Sequence, residues 1–264
     1  MHDMAGCPEA LQAEGVIGED RAGLPSTAGM EVFDLSAAGI AALGRRGVTV
    51  AGRPGEGNRV WLPREGSVGT LALTVARGGG HNTILLGPRD PRSRARISTS
   101  AQHGIVVLGG TSGAVTLTLS MGGERTLFVQ GAEGSANALS CKLEGDGRRL
   151  LIGAGCMIST GVELRTSDSH AILDIAGGCQ VNLPEDLVVG PHVWLGREVL
   201  VMKGVTIGRG SVIGARSVVT ADVPDYALAA GVPARLLRQG VTWSRPALPD
   251  AARIAARIEE VAGR

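Results

Sequence analysis

Apolar residues along this chain recur with two periods, and neither is the period of a helix. From about residue 67, short apolar runs alternate with Gly-rich turns: TLALTV (70–75), NTILLG (82–87), GIVVLGG (104–110), AVTLTL (114–119), TLFVQG (126–131) and RLLIG (149–153). Aligned on Leu85, Val107, Phe128 and Ile152, the runs repeat after 22, 21 and 24 residues. Repetition at about 20 residues is expected of a solenoid, whose repeats cannot each bury an apolar face alone. Evenly spaced strands of a β-sandwich would give a similar pattern.

The second period settles the matter. VGPHVW, LGREVL, VMKGVT, IGRGSV, IGARSV and VTADVP fill 189–224 without a gap. The first position is Val, Leu or Ile in all six, and the fifth is Val or Ser. The second is Gly in four, with Met202 and Thr220 as exceptions. Two further hexads, IGAGCM and ISTGVE, occupy 152–163. A period of six matches neither 3.6 nor 2. It fits a coil with three short faces and a bend at each corner, stacked at about 4.8 Å. The first position should fill the interior and the fifth should tuck beside a corner. The Gly should supply a positive φ at the bend.

The remaining segments are less regular. Residues 1–30 are small, polar and Gly/Pro-interrupted, and are expected to be mobile. SAAGIAALGRR (36–46) predicts a short helix with Ser36 as N-cap, followed by strands near 48–50 and 60–62. DAARIAARIEEVAGR (250–264) predicts an amphipathic helix with Ile254, Ile258 and Val261 on one stripe. The expected architecture is an all-β solenoid with an N-terminal extension (1–66), a β-helix (67–226) and a C-terminal tail and helix (227–264).

Composition narrows the picture. The 264 residues include 41 Gly but only three Trp, two Phe and one Tyr, which points to a narrow core of short strands. The net charge of +1, with no Lys/Arg block interleaved with aromatics, argues against a nucleic-acid partner. Cys7, Cys141, Cys156 and Cys179 show no C-x-x-C spacing and read as free thiols of a reducing cytosol. No apolar run approaches the roughly 20 residues of a membrane span, and no secretory signal is evident. A cytoplasmic location is expected.

The hexads, the polar interruption RTSDSHAILDIAGGCQVNLPEDL (165–187) and the phrase GVPARLLR (231–238) together resemble the hexapeptide-repeat transferase family. Its members include galactoside, maltose, serine and polysaccharide O-acetyltransferases. The match is dense over 152–238, textural over 67–151 and absent before that. The resemblance implies a left-handed parallel β-helix, acetyl-CoA as acyl donor, no metal, a saccharide acceptor, and a homotrimer with active sites at subunit interfaces. It also implies that His170, on the interrupting loop 24 residues before Trp194, is the catalytic base. Imidazole suits that role because its ordinary pKa of about 6.5 lets it take and return a proton near neutrality. Asp168 and Asp174 are candidates to orient it, with Asp174 also a candidate on the acceptor side, or either is a turn residue. Asn137 matches an acceptor-binding Asn across an alignment gap. Trp194, Gly196, Arg197, Ala215, Thr220, Arg235 and Arg238 fall on expected cofactor positions. Gly196 would offer its N–H to the oxyanion, and the two last arginines would meet phosphates. Ala221 stands where relatives carry Lys, and Arg216 is a candidate substitute.

Three other readings remain. The acceptor could be an amine of a nucleotide sugar. The solenoid could be a non-catalytic scaffold. It could also be a γ-class carbonic anhydrase, although the five histidines lack that family's H-x-x-x-x-H spacing.

Overall fold

The computed structural model describes residues 29–262. The expectations for residues 1–28, including Cys7, lie outside them. The described chain is the expected all-β solenoid, a left-handed parallel β-helix.

The solenoid begins earlier than residue 67. Val48–Gly52 pairs in parallel with Thr70–Val75, and Arg59–Pro63 with Thr83–Leu86. Much of the supposed extension is therefore rung. What precedes it is a cap. Met30–Asp34 pairs antiparallel with Arg59–Pro63 and ends the ladder. Helix α1 (Ala37–Arg45) is capped by Ser36 Oγ, which accepts from Gly39 N at 3.2 Å. It drives the fully buried Leu43 into the end of the core.

The upstream coils advance 22 residues per turn. Leu85 pairs with Val107 and Val107 with Val129. Phe128 instead faces Val106, so the alignment of Leu85 and Val107 with Phe128 slips by one residue. The cause is a first face that is apolar on both sides. Ile84, Val106, Phe128 and Leu150 point into the main core, whereas Trp61, Leu85, Val107, Val129 and Leu151 form a second apolar cluster outside it. Alternation is then invisible in the sequence, and a one-residue slip exchanges the faces. The longer strands of the second sheet do alternate: Arg94–Thr99 and Val115–Met121 expose every other residue and bury the rest.

Downstream the turn shortens to 18 residues, three hexads, with Val189 opposite Ile207, Leu195 opposite Ile213 and Val201 opposite Val219. Each coil now has three short faces. All six first-position residues are at most 1% exposed, and all six fifth-position residues are buried. Full burial of such side chains stabilises by about 1.5–3 kcal/mol each.

The glycines act differently from expectation. Gly190, Gly196, Gly208 and Gly214, at the second position, do not have positive φ. The left-handed residue is the fourth: His192 (53°), Glu198 (58°), Gly204 (75°), Gly210 (67°) and Arg216 (59°). Second-position Gly is needed because the next coil is too close for a Cβ. One added at Gly190 would lie 2.9 Å from Arg209 N, and one at Gly196 2.7 Å from Ala215 N. The same crowding exists upstream, where a Cβ at Gly131 would lie 2.6 Å from Ala154 N.

At the far end, Ala227–Gly231 joins the second sheet in parallel, and Ala234–Gln239 returns antiparallel along its edge. Pro233 therefore sits at a hairpin tip and does not end pairing. The chain then runs back over the corner between first and second faces. Val241 N donates to Tyr226 O (2.8 Å), Thr242 Oγ1 to Gly210 O (3.2 Å) and Trp243 Nε1 to His192 O (2.7 Å). Arg245 reaches Ser135 Oγ (3.0 Å) and Glu133 O (3.1 Å). Helix α2 (Ala251–Ala262) follows, started by Asp250, whose carboxylate accepts from Arg253 N at 2.8 Å.

Candidate active site

The polar interruption leaves the stack at the corner between third and first faces. Met157–Arg165 crosses the second and third faces, and Leu187–Val189 resumes the first. Ile152 and Val189 are register partners 37 residues apart, against 18 for the coils that follow. The extra residues form a projecting loop with a small hairpin, Leu173–Asp174 against Cys179–Gln180.

His170 is exposed on this loop. Its backbone is clasped while its ring is free. Asn182, itself buried, donates from Nδ2 to His170 O (2.8 Å) and to Asp168 Oδ2 (2.9 Å), and accepts from Ile172 N (2.7 Å). Asp168 does not reach the imidazole. Its Oδ2 accepts from Lys203 Nζ at 2.7 Å. Lys203 and then Asn182 hold that carboxyl below the usual carboxylate range. Lys142 Nζ adds a third tie, donating to Ser169 Oγ at 2.7 Å. Ser169 itself has a φ of 70°.

Several expected roles change. Asp174 is a turn residue: its carboxylate accepts from Ala176 N (3.3 Å) and Gly177 N (2.9 Å) inside the hairpin. Asn137 lies on Ser135–Leu143, at the register shift of the second sheet, and is not on the loop. Gly196 N–H is already donated to Ile213 O at 2.9 Å, which removes it as an oxyanion donor. Arg197 and Arg216 both bind Glu198, at 2.9 and 2.8 Å, on the corner between second and third faces. Arg216 thus does not stand in for the Lys missing at 221. The cation at that corner is Lys203, one 18-residue turn earlier. It, Asn182 and Lys142 were missed, although Lys203 fills the third place of its hexad, where side chains point outward.

The expected cofactor residues divide between sites. Ala215 and Thr220 are exposed at opposite edges of the third face. Arg235 is exposed on the closing hairpin, its guanidinium donating to Ala234 O at 3.1 Å. Trp194 and Arg238 line a groove of about 1110 Å³ on the second face. Its floor is the outward column Met157, Trp194, Val212 and Leu228, and its far wall includes Ile254, Ile258 and Val261 of α2. Trp243 stacks on His192 (ring centroids 4.2 Å apart, 8° between planes) and lies 6.2 Å from Trp194.

The bacterial transferase hexapeptide (six repeats) family pattern matches residues 186–221. This chain carries the hexapeptide repeat. A polysialic acid O-acetyltransferase of Escherichia coli O1:K1 is 43% identical over 114 residues, 38% of this chain and 37% of that protein. Galactoside O-acetyltransferase of Escherichia coli K12 is 51% identical over 53 residues, 20% of this chain and 26% of that protein. The crystal structure of the polySia-specific acetyltransferase NeuO superposes with a TM-score of 0.60 at 26% identity, covering 82% of this chain and 98% of that one. The chain matches about two fifths or less of the length of these curated relatives. No helix among the described residues is long and apolar enough to cross a membrane.

Proposed function

We propose that this chain is an acetyl-CoA-dependent O-acetyltransferase acting on a saccharide hydroxyl, with His170 as general base. The observation that carries the reading is the presentation of His170. Asn182 fixes its main chain, and its ring makes no hydrogen bond among the described residues. The names of the hexapeptide-repeat relatives, polysialic acid and galactoside O-acetyltransferases, support the acceptor class.

The chemistry follows from the residue. The imidazole accepts the proton of the acceptor hydroxyl as its oxygen attacks the thioester carbon. The tetrahedral intermediate collapses, the C–S bond breaks, and the imidazolium returns the proton to the thiolate. Arg238 and Arg235 offer planar donors for donor phosphates. Use of acetyl-CoA places the reaction in the cytoplasm.

The geometry also supports a ring of copies. The loop leaves the corner between third and first faces, whereas Trp194 and Arg238 occupy the second. One chain does not bring them together. On the loop, Ile172, Leu173, Ile175, Val181 and Leu183 are 57–100% exposed. Such a patch calls for cover. Head-to-tail contact between one copy's loop and the next copy's second face closes as a ring, and we assign a homotrimer.

The test is transfer from acetyl-CoA to saccharide acceptors, read by thiol release and product mass. His170→Ala should reduce turnover by about 10²–10⁴-fold while coenzyme A binding and ring size stay unchanged. Activity retained within a few-fold would remove His170 as the base.

A further inference from the structure

The outward side of the second sheet in the wide coils is chemically one-sided. Three rows of side chains run along the solenoid axis: Thr70, Arg94 and Thr116; Ala72, Arg96, Thr118 and Ser140; Thr74, Ser98, Ser120 and Lys142. These residues are exposed or half-buried, and nearly all carry a hydroxyl or a positive charge. None is Asp or Glu, in a chain with 25 acidic against 26 basic residues. The first carboxylate along the middle row is Glu163, one coil beyond Ser140. Arg94 and Arg96 make no ion pair among the described residues, although ten other arginines do. They are two residues apart on one strand, so both guanidinium groups stand on the same face.

The rows lead to the loop. Lys142 ends the third row, and its Nζ donates to Ser169 Oγ, the residue before His170. Asn137, left without a place on the loop, lies beside the first row where the register shifts.

We infer that this face is a track that holds a linear, carboxylate-bearing polysaccharide while its end reaches His170. Charge complementarity selects the occupant. Unpaired arginines offer two-pronged donors to carboxylates, and the Ser/Thr hydroxyls donate to and accept from sugar hydroxyls. Rungs stacked about 4.8 Å apart repeat these donors at a step comparable with one sugar ring. A neutral glycan would leave the arginines without anions. A second copy of this chain would bury two unpaired cations against the same face. The inference rests on His170 as the acceptor end of the site.

Binding is separable from turnover, so the test uses the full chain carrying His170→Ala. Calorimetric titration with polysialic acid, alginate and neutral dextran should show salt-sensitive binding of the two acidic polymers and none of dextran. Adding Arg94→Ala and Arg96→Ala should weaken binding about tenfold or more. Thr118→Val should have a smaller effect. In the otherwise native enzyme, the double arginine variant should raise KM for polymer and leave turnover of a monosaccharide acceptor unchanged. Equal binding by the arginine variant, or dextran bound as tightly as acid polymers, would overturn the track. So would a change in assembly mass in the arginine variant, which would assign the face to contact between copies. Loss of catalysis without loss of binding would leave the track standing and put the His170 reading at issue.

Discussion

Across 83–152 one turn of the solenoid takes 22 residues, and across 187–219 it takes 18. The wide coils use a four-residue first-face strand and a second strand of six to nine residues. They need a large filler, and Phe128 is the largest fully buried side chain. The narrow coils use strands of two or three residues and fill their interior with Val, Leu and Ile. Turn length therefore sets two things together. A long turn gives a broad outward sheet, where side chains line up in rows. A short turn gives corners, where single residues such as Lys203 stand out and meet a loop. Contact over a surface belongs to the first region and local chemistry to the second.

Core substitution should separate the regions most strongly. Phe128→Ala should cost about 3–5 kcal/mol in urea unfolding. The inverse change, Val201→Phe, should cost about 1–3 kcal/mol or more, because the narrow interior has no space for a ring. A narrow coil that accepted Phe without loss would erase the distinction. The glycine column should show what the regions share. Gly131→Ala and Gly190→Ala should each destabilise by about 1–3 kcal/mol, since either Cβ would press on the next coil's backbone. Unequal losses would mean that the coils stack differently above and below the loop.

The smallest effect concerns the loop at their junction. The carboxyl of Asp168 is held below its ordinary pKa of about 3.9 by Lys203 and Asn182. Its contribution is complete above about pH 4 and disappears as pH falls through the lower folded value. For this partly exposed pair the gain is on the order of 1 kcal/mol. Hydrogen exchange in 165–187 should accelerate below pH 4, and Asp168→Asn should exchange faster at neutral pH without that acid step. A loop indifferent to both would show that Asn182 alone holds it.

The narrow coils were legible because their interior and exterior positions differ in kind: six first-position and six fifth-position residues are buried as the hexads require. Helix α1 was legible from Ser36 and its apolar spacing. Register in the wide coils was not, because Leu85 and Phe128 are equally apolar yet face opposite sides of one sheet. The start of the solenoid was obscured because Val48–Gly52 is too short to show a period before its partner is known. At the candidate site, His170 was found by its place in an interruption of a strict repeat. Asn182 was not, since its role depends on a return of the chain 12 residues later that brings it to His170 O. Gly196 was misassigned because a sequence does not say which amides the stack has already used.

The wide coils join one another through a single repeated register, and the His170 loop enters only after the last of them. That arrangement makes the upstream solenoid a ruler. Removing or duplicating one 22-residue rung would move the α1 cap by about 4.8 Å and leave Asp168, Asn182 and Lys203 where they are. The reach of the protein along whatever it holds can be graduated in whole rungs, independently of the chemistry at the end.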